Sequence, residues 1–298
     1  MNAIETHALT RRYSRTEALA GLNLAVPEGA VFALLGPNGA GKSTTLKILM
    51  NLLSPSSGTA TVLGVDSQKL GPDDRTRIGY ISENQKLPLW MSVRQLLDYC
   101  RPFYPTWDRN LEARLLEQFD LPPERKLRHL SRGMLMKAAL LSSLAYRPKL
   151  LVLDEPFSGL DPLSRDDFVQ GIIEASELGE WTVLIASHDI EEVERFADHI
   201  GLLEDGRLRI SETTESLLRR FRRIELRDAS PGARPTPMPA AWLDWEQSGD
   251  LVRYVDTKHD PAIQAVSPAS MTAQSMSLRE ILIVLARQQR LQRKGVAA

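Results

Sequence analysis

GPNGAGKST, Gly36 to Thr44, follows the apolar run Val31-Phe32-Ala33-Leu34-Leu35 and opens a helix-prone segment. An apolar strand, a glycine-rich turn and a helix start, in that order, make a phosphate cradle. The glycines let backbone N–H groups turn toward a β-phosphate, and the helix beginning near Lys42 points its positive end at the anion. Lys42 is spaced to reach the β- and γ-phosphates, and Ser43 offers a hydroxyl to Mg²⁺. Gly36, Asn38, Gly39, Gly41, Lys42, Ser43 and Thr44 are therefore the candidate nucleotide-binding residues. By itself the motif specifies a nucleoside triphosphate and no reaction.

The reaction is suggested by a second segment, Leu150-Leu151-Val152-Leu153-Asp154-Glu155-Pro156, an apolar strand that ends in two adjacent carboxylates. In open α/β sheets such a carboxyl edge is where ligands bind. Asp154 is suited to hold Mg²⁺, while Glu155 is suited to polarise a water for in-line attack on the γ-phosphorus. Downstream of a phosphate loop, this pair points to nucleotide hydrolysis.

The pattern around these motifs gives the organisation. Short alternating runs from Met1 to about Leu35, broken by Pro27-Glu28-Gly29, read as antiparallel strands and turns leading into the phosphate loop. From Ser92 to about Arg147 the apolar residues recur at helical steps: Val93, Leu96 and Leu97, then Leu111, Leu115, Leu116 and Phe119, with Pro122-Pro123 as a break. Strand character returns at Leu150–Leu153 and Trp181–Ala186, separated by a helical stretch from about Pro162 to Leu178. Such alternation predicts a parallel sheet with crossover helices and an inserted helical subdomain. After Arg227, Pro231, Pro235, Pro237 and Pro239 mark a linker or surface loop. A hairpin across Ser248-Gly249-Asp250 and a capping box of Ser277 with Glu280 then predict a small α+β appendage. The expected boundaries are 1–222 for the nucleotide-binding domain, with its helical subdomain at about 85–147, and 223–298 for the appendage.

Composition restricts the partners. The 298 residues are 43% hydrophobic and 25% charged with a formal net charge of −1, which gives no global drive toward nucleic acid. The single cysteine, Cys100, excludes an intrachain disulfide and a cysteine-rich metal site, and reads as a small core hydrophobe. No apolar run approaches the ~18 residues of a membrane span. The opening MNAIETHALTRRY holds acidic and polar residues where a secretory signal carries an apolar core, so a cytoplasmic location is expected.

From about Ile4 to Leu208 the motifs in order resemble the ATP-binding subunit of ABC transporters. The resemblance implies an α/β fold: a P-loop NTPase core with an antiparallel β subdomain, the inserted helical subdomain and, here, the C-terminal appendage. It identifies Leu130-Ser131-Arg132-Gly133-Met134 with the signature segment, whose Ser131 and Gly133 would meet the γ-phosphate held by a partner chain. It matches Tyr13 to the aromatic that stacks on adenine, Ser158-Gly159-Leu160-Asp161 to the loop that communicates across a dimer, and His188 to the switch histidine. It implies ATP and Mg²⁺ as ligands, catalysis by Glu155 and His188, and a second ATP-binding subunit in a homodimer or heterodimer. It also implies an integral membrane subunit docked on the loop from Glu83 to Met91 and the insert around Trp90 to Trp107, on the cytoplasmic face.

Two positions depart from the family pattern. The loop that commonly reads aromatic, two residues, then Gln is Tyr80-Ile81-Ser82-Glu83 here, with Gln85 two residues later, so either Glu83 or Gln85 is the candidate for its metal-side role. One of the signature's two Gly positions is Arg132, a cation expected near the trans phosphates, and its terminal Gln is Met134. The signature variant and the appendage lean toward export. The alternative is a soluble ABC ATPase acting on ribosomes or DNA, against which stand one phosphate loop, no extended heptads and no basic groove. A regulatory subunit using ATP only as dimer glue is disfavoured by the intact Lys42, Asp154, Glu155 and His188. The transported substrate is not legible, because selectivity lies in the membrane chain.

Overall fold

The computed structural model describes residues 1–83, 85–177, 181–227, 235, 237–259 and 271–293. Two compact units divide the chain, Met1–Ser211 and Glu212–Ala298.

In the first unit, β1 (Asn2–Tyr13) pairs antiparallel with β2 (Thr16–Leu22), β3 (Ala25–Pro27) and β5 (Ser57–Val62), and β6 (Val65–Asp66) extends that sheet. A second sheet has the order β11-β10-β4-β9-β8-β7, built from β4 (Val31–Leu35), β7 (Ile78–Ser82), β8 (Leu150–Asp154), β9 (Thr182–Ser187), β10 (His199–Glu204) and β11 (Arg207–Thr213). The strands from β10 through β7 in that order run parallel. Here the structure corrects the sequence reading, which carried the antiparallel region up to Leu35: β4 sits in the parallel sheet, between β9 and β10. Its last four residues are buried, and a strand covered on both faces reads as an unbroken apolar run rather than an alternation. All residues of β8 and β9 are buried for the same reason.

Ile4, Leu22 and Val62 of the antiparallel sheet, Phe32, Val152 and Leu184 of the parallel sheet, and Leu46 and Leu49 of helix α1 (Lys42–Leu49) share one core. After the short helix α2 (Pro72–Arg75), three helices form the insert: α3 (Val93–Cys100), α4 (Arg109–Gln118) and α5 (Arg132–Leu144). Each starts on a side-chain cap. Ser92 and Gln95 form a capping box for α3, Asp108 accepts from Asn110 N and Leu111 N at α4, and Ser131 accepts from Met134 N at α5. Helix α6 (Pro162–Glu177) crosses from β8 to β9 and packs against α4 and α5.

The second compact unit starts at Glu212. Helix α7 (Thr214–Arg220) is tied into it by Arg220, which pairs with Glu212 at 2.5 Å and donates to Thr257 O, while its own carbonyl accepts from His259 N. Strand β12 (Arg222–Leu226) lies between β14 (Leu251–Asp256) and β15 (Met271–Ser275), and β13 (Trp242–Ser248) pairs with β14 through the expected Gly249-Asp250 turn. Trp242, Trp245 and Tyr254 stack on one another, with centroids 4.2–5.7 Å apart. Burial beside Asp256 pushes the Tyr254 hydroxyl up to about 12. The Ser277/Glu280 box caps the helix Leu278–Arg293. Most of the proline-rich stretch, from Asp228 to Arg234 and Thr236, and the basic end at Lys294 lie outside the described residues.

Gly171 on α6 shows how tightly the insert meets the core. A Cβ there would lie 2.4 Å from Cζ of the fully buried Phe119. Gly171→Ala gains about 1 kcal/mol of helix propensity, but overpacking a rigid ring costs about 1–3 kcal/mol. A net loss is expected, read as a fall of about 2–4 °C in Tm per kcal/mol for a unit of this size. Adding Phe119→Leu should recover part of it; a rise in Tm for Gly171→Ala alone would contradict this packing.

Candidate active site

Four parallel strands end level. In the register, Leu35 stands beside Ser187, Ala186 beside Asp154, and Asp154 beside Ser82. The residues that follow, Gly36, His188, Glu155 and Glu83, therefore emerge at one edge of the sheet, the carboxyl edge of an α/β fold.

The phosphate loop occupies the turn between β4 and α1. Gly41 has φ 110°, and a Cβ on it would meet Ala18 O at 2.5 Å, so neither the conformation nor the space admits another residue. Asn38 and Gly39 form the exposed crown of the loop, Gly36 is buried at its base, and Ser43 and Thr44 are half-buried in the first turn of α1. Lys42 is only 5% exposed; its Nζ donates to Gly36 O at 2.7 Å and lies 3.1 Å from Glu155 Oε1.

The two carboxylates face different ways. Glu155 has φ 50°, and this left-handed turn directly after β8 separates its side chain from that of Asp154. Asp154 Oδ1 accepts from Ser43 Oγ at 2.9 Å. Glu155 Oε2 lies 2.7 Å from His188 Nδ1 and also accepts from His188 N. Glu155 is thus held between Lys42 and His188. The histidine's turn is braced from behind by Ser187, whose hydroxyl donates to the buried Glu192, itself paired with Arg165 at 3.3 Å. Nothing in the sequence motif marked Glu192, because its partners come from β9 and α6.

Ser131 and Gly133 lie at a separate place, the start of α5, whose neighbours are Glu83 and the loop after β8. A Cβ on Gly133 would lie 2.3 Å from Ser164 Oγ, which donates to Asp161 Oδ2 at the start of α6. Tyr13, at the end of β1, is 45% exposed, with the Arg11 guanidinium 4.9 Å from its ring centroid.

For the altered loop after β7, Glu83 donates through its backbone N–H to Asp154 O, at the site. Gln85 instead lines a cleft with Tyr80, Cys100, Tyr104 and Tyr146. The Glu83 carboxylate does not join Ser43 and Asp154; it accepts from Ser158 Oγ at 2.7 Å and Arg132 Nη2 at 2.9 Å. The Ser158 bond first, and Arg132 second, hold it below the usual carboxylate range. Burial raises the Cys100 thiol, which makes it a poor nucleophile.

Ser43 and Asp154 fit Mg²⁺, since a hydroxyl and a desolvated carboxylate in contact are hard oxygen donors and triphosphate oxygens complete such a site. Among the described residues no cluster of three or more His, Cys, Asp or Glu is arranged for a metal. Burial pushes the Asp154 carboxyl up, reinforced by Glu155 and opposed by the Ser43 bond. A raised folded value means that the ionised form opposes folding, and this cost is present above the folded pKa and absent below the unfolded one. Asp154→Asn should therefore raise Tm at pH 8 without nucleotide, the gain shrinking as the pH falls toward 4. A lower Tm at pH 8 would count against a desolvated carboxylate.

The family model described as "ABC transporter" matches residues 19–158. The ABC transporter ATP-binding protein YtrB of Bacillus subtilis (strain 168) is 31% identical over 223 residues, covering 75% of this chain and 76% of the relative. The daunorubicin/doxorubicin resistance ATP-binding protein DrrA of Streptomyces peucetius is 36% identical over 253 residues, covering 81% and 76%. A solved ATP-binding subunit of an ABC transporter superposes with a TM-score of 0.66 at 28% identity, covering 73% of this chain and 92% of that one. Phosphate loop, acidic strand end and His188 converge on one sheet edge, the chain covers about three quarters of the length of relatives more than 30% identical to it, and it belongs to the ATP-binding subunits of ABC transporters, which are ATPases.

Proposed function

We propose that this chain binds MgATP at composite sites formed with a second ATP-binding subunit and hydrolyses it to drive export through separate membrane subunits. The observation that carries the reading is Glu155 held between Lys42 and His188, beside the Ser43–Asp154 pair. Lys42 neutralises the β- and γ-phosphates, Glu155 takes a proton from the attacking water, and His188 orients Glu155 and contacts the γ-phosphate. Tyr13 stacks on adenine. Ser131 and Gly133 serve the nucleotide of the partner chain, because they sit on a helix start away from their own phosphate loop. Mg²⁺, bound by Ser43 and Asp154, supplies charge neutralisation for the phosphates.

Export is supported by the similarity to DrrA, a daunorubicin/doxorubicin resistance ATP-binding protein. Among the described residues no helix is long and apolar enough to cross a membrane. Leu89, Trp90, Tyr99 and Phe103 are 49–67% exposed and offer the membrane subunit an apolar docking surface on the cytoplasmic side. Tyr104 and Trp107 are half-buried instead: Tyr104 stacks on the buried Tyr146 at 3.8 Å, with Trp107 beside them.

Glu155→Gln keeps the shape of the side chain and loses the base, so turnover should fall ~10²–10⁴-fold while MgATP drives a long-lived dimer visible by gel filtration. Turnover near wild type would remove Glu155 from its role. Co-purification of an integral membrane protein, rather than ribosomes or DNA, separates this reading from that of a soluble ATPase.

A further inference from the structure

The two departures from the family pattern carry opposite charges, and they meet. Arg132, the first residue of α5, donates from Nη2 to Glu83 Oε1 at 2.9 Å, and the same oxygen accepts from Ser158 Oγ at 2.7 Å. Gly159 makes room for the guanidinium: a Cβ there would lie 2.8 Å from Arg132 Nη1 and 3.0 Å from Cζ. One cation thus joins three segments, the turn after β7, the start of α5 and the loop after β8. With side chains 50% and 34% exposed, the pair is open to solvent, and such pairs contribute little to stability. Its effect is therefore on charge and position rather than on folding. A carboxylate at position 83 adds negative charge where phosphates are handled, and Arg132 is placed to cancel it.

We propose that Glu83 and Arg132 are a coupled positioning pair, in which Arg132 neutralises Glu83 and holds the Ser131–Gly133 helix start against the catalytic strand ends, so that each departure is tolerated because of the other. This inference rests on the proposed nucleotide-driven dimer. It makes Arg132 a residue that acts first within its own chain rather than directly on the partner's phosphate.

The test uses the full chain carrying Glu155→Gln and measures the protein concentration for half-maximal MgATP-dependent dimerisation by sedimentation. Arg132→Gly leaves Glu83 uncompensated and should raise that concentration roughly tenfold, the scale of coupling between contacting residues. Glu83→Gln alone should shift it less than about threefold, since the amide oxygen still accepts from Arg132. The double variant should return to within about threefold of the parent, so that the second substitution repairs the first. Arg132→Lys should retain most of the dimerisation and Arg132→Gln, which keeps helix propensity, should not; this separates charge from a weakened α5. Additive losses in a parent that dimerises would overturn the pair and leave the proposed function standing. A parent that fails to dimerise with MgATP would overturn the function itself.

Discussion

The site depends on one geometric constraint, the level ending of β4, β9, β8 and β7 at the same edge of the parallel sheet. Hydrogen-bond register sets that level, and each strand then delivers one chemical group: the phosphate loop, His188, the Asp154–Glu155 pair and Glu83. A slip of one strand by a single residue would exchange the side chains packed against its two covered faces and misplace its last residue, so the close packing of β8 and β9 on both sides keeps the strand ends aligned. The order β4-β9-β8 also explains why a histidine from β9 reaches a glutamate from β8, its neighbour in the sheet.

Within that frame the charges are arranged so that each buried group has a partner of a different kind. Lys42 leaves water almost completely and is compensated by Glu155 and by the loop carbonyl of Gly36. Asp154 has only a hydroxyl, which satisfies one lone pair and leaves a desolvated negative charge. A group in that condition is a good cation ligand and a poor contributor to folding, and functional sites commonly accept this trade. The left-handed backbone at Glu155 belongs to the same category, since strain of about 1–3 kcal/mol persists only where surrounding structure enforces it.

The insert is fastened to this edge by polar contacts as well as by packing. Gly133 against Ser164, Arg132 across Gly159, and Ser158 on Glu83 tie the start of α5 to the loop after β8. That loop leaves the same strand that carries the two carboxylates. The start of α5 is thus joined to the end of β8 by a short chain of direct contacts.

The local motifs were legible in the sequence because they are written in consecutive residues. The phosphate loop needs its glycines for backbone conformation, the acidic pair follows an apolar strand, and Ser92, Ser131 and Ser277 announce helix starts, all within a few positions. Strand partnership was not legible. β4 was grouped with the antiparallel strands that precede it, although its partners, β9 and β10, lie far along the chain. The second unit begins at Glu212 because Arg220 and β12 find their partners downstream, a choice made by pairing rather than by composition. Glu83, Arg132 and Glu192 make the same point at the site. The sequence showed a carboxylate and a cation out of pattern, and only the tertiary structure decided that they face each other, since an ion pair between distant segments is set by where the backbone carries them.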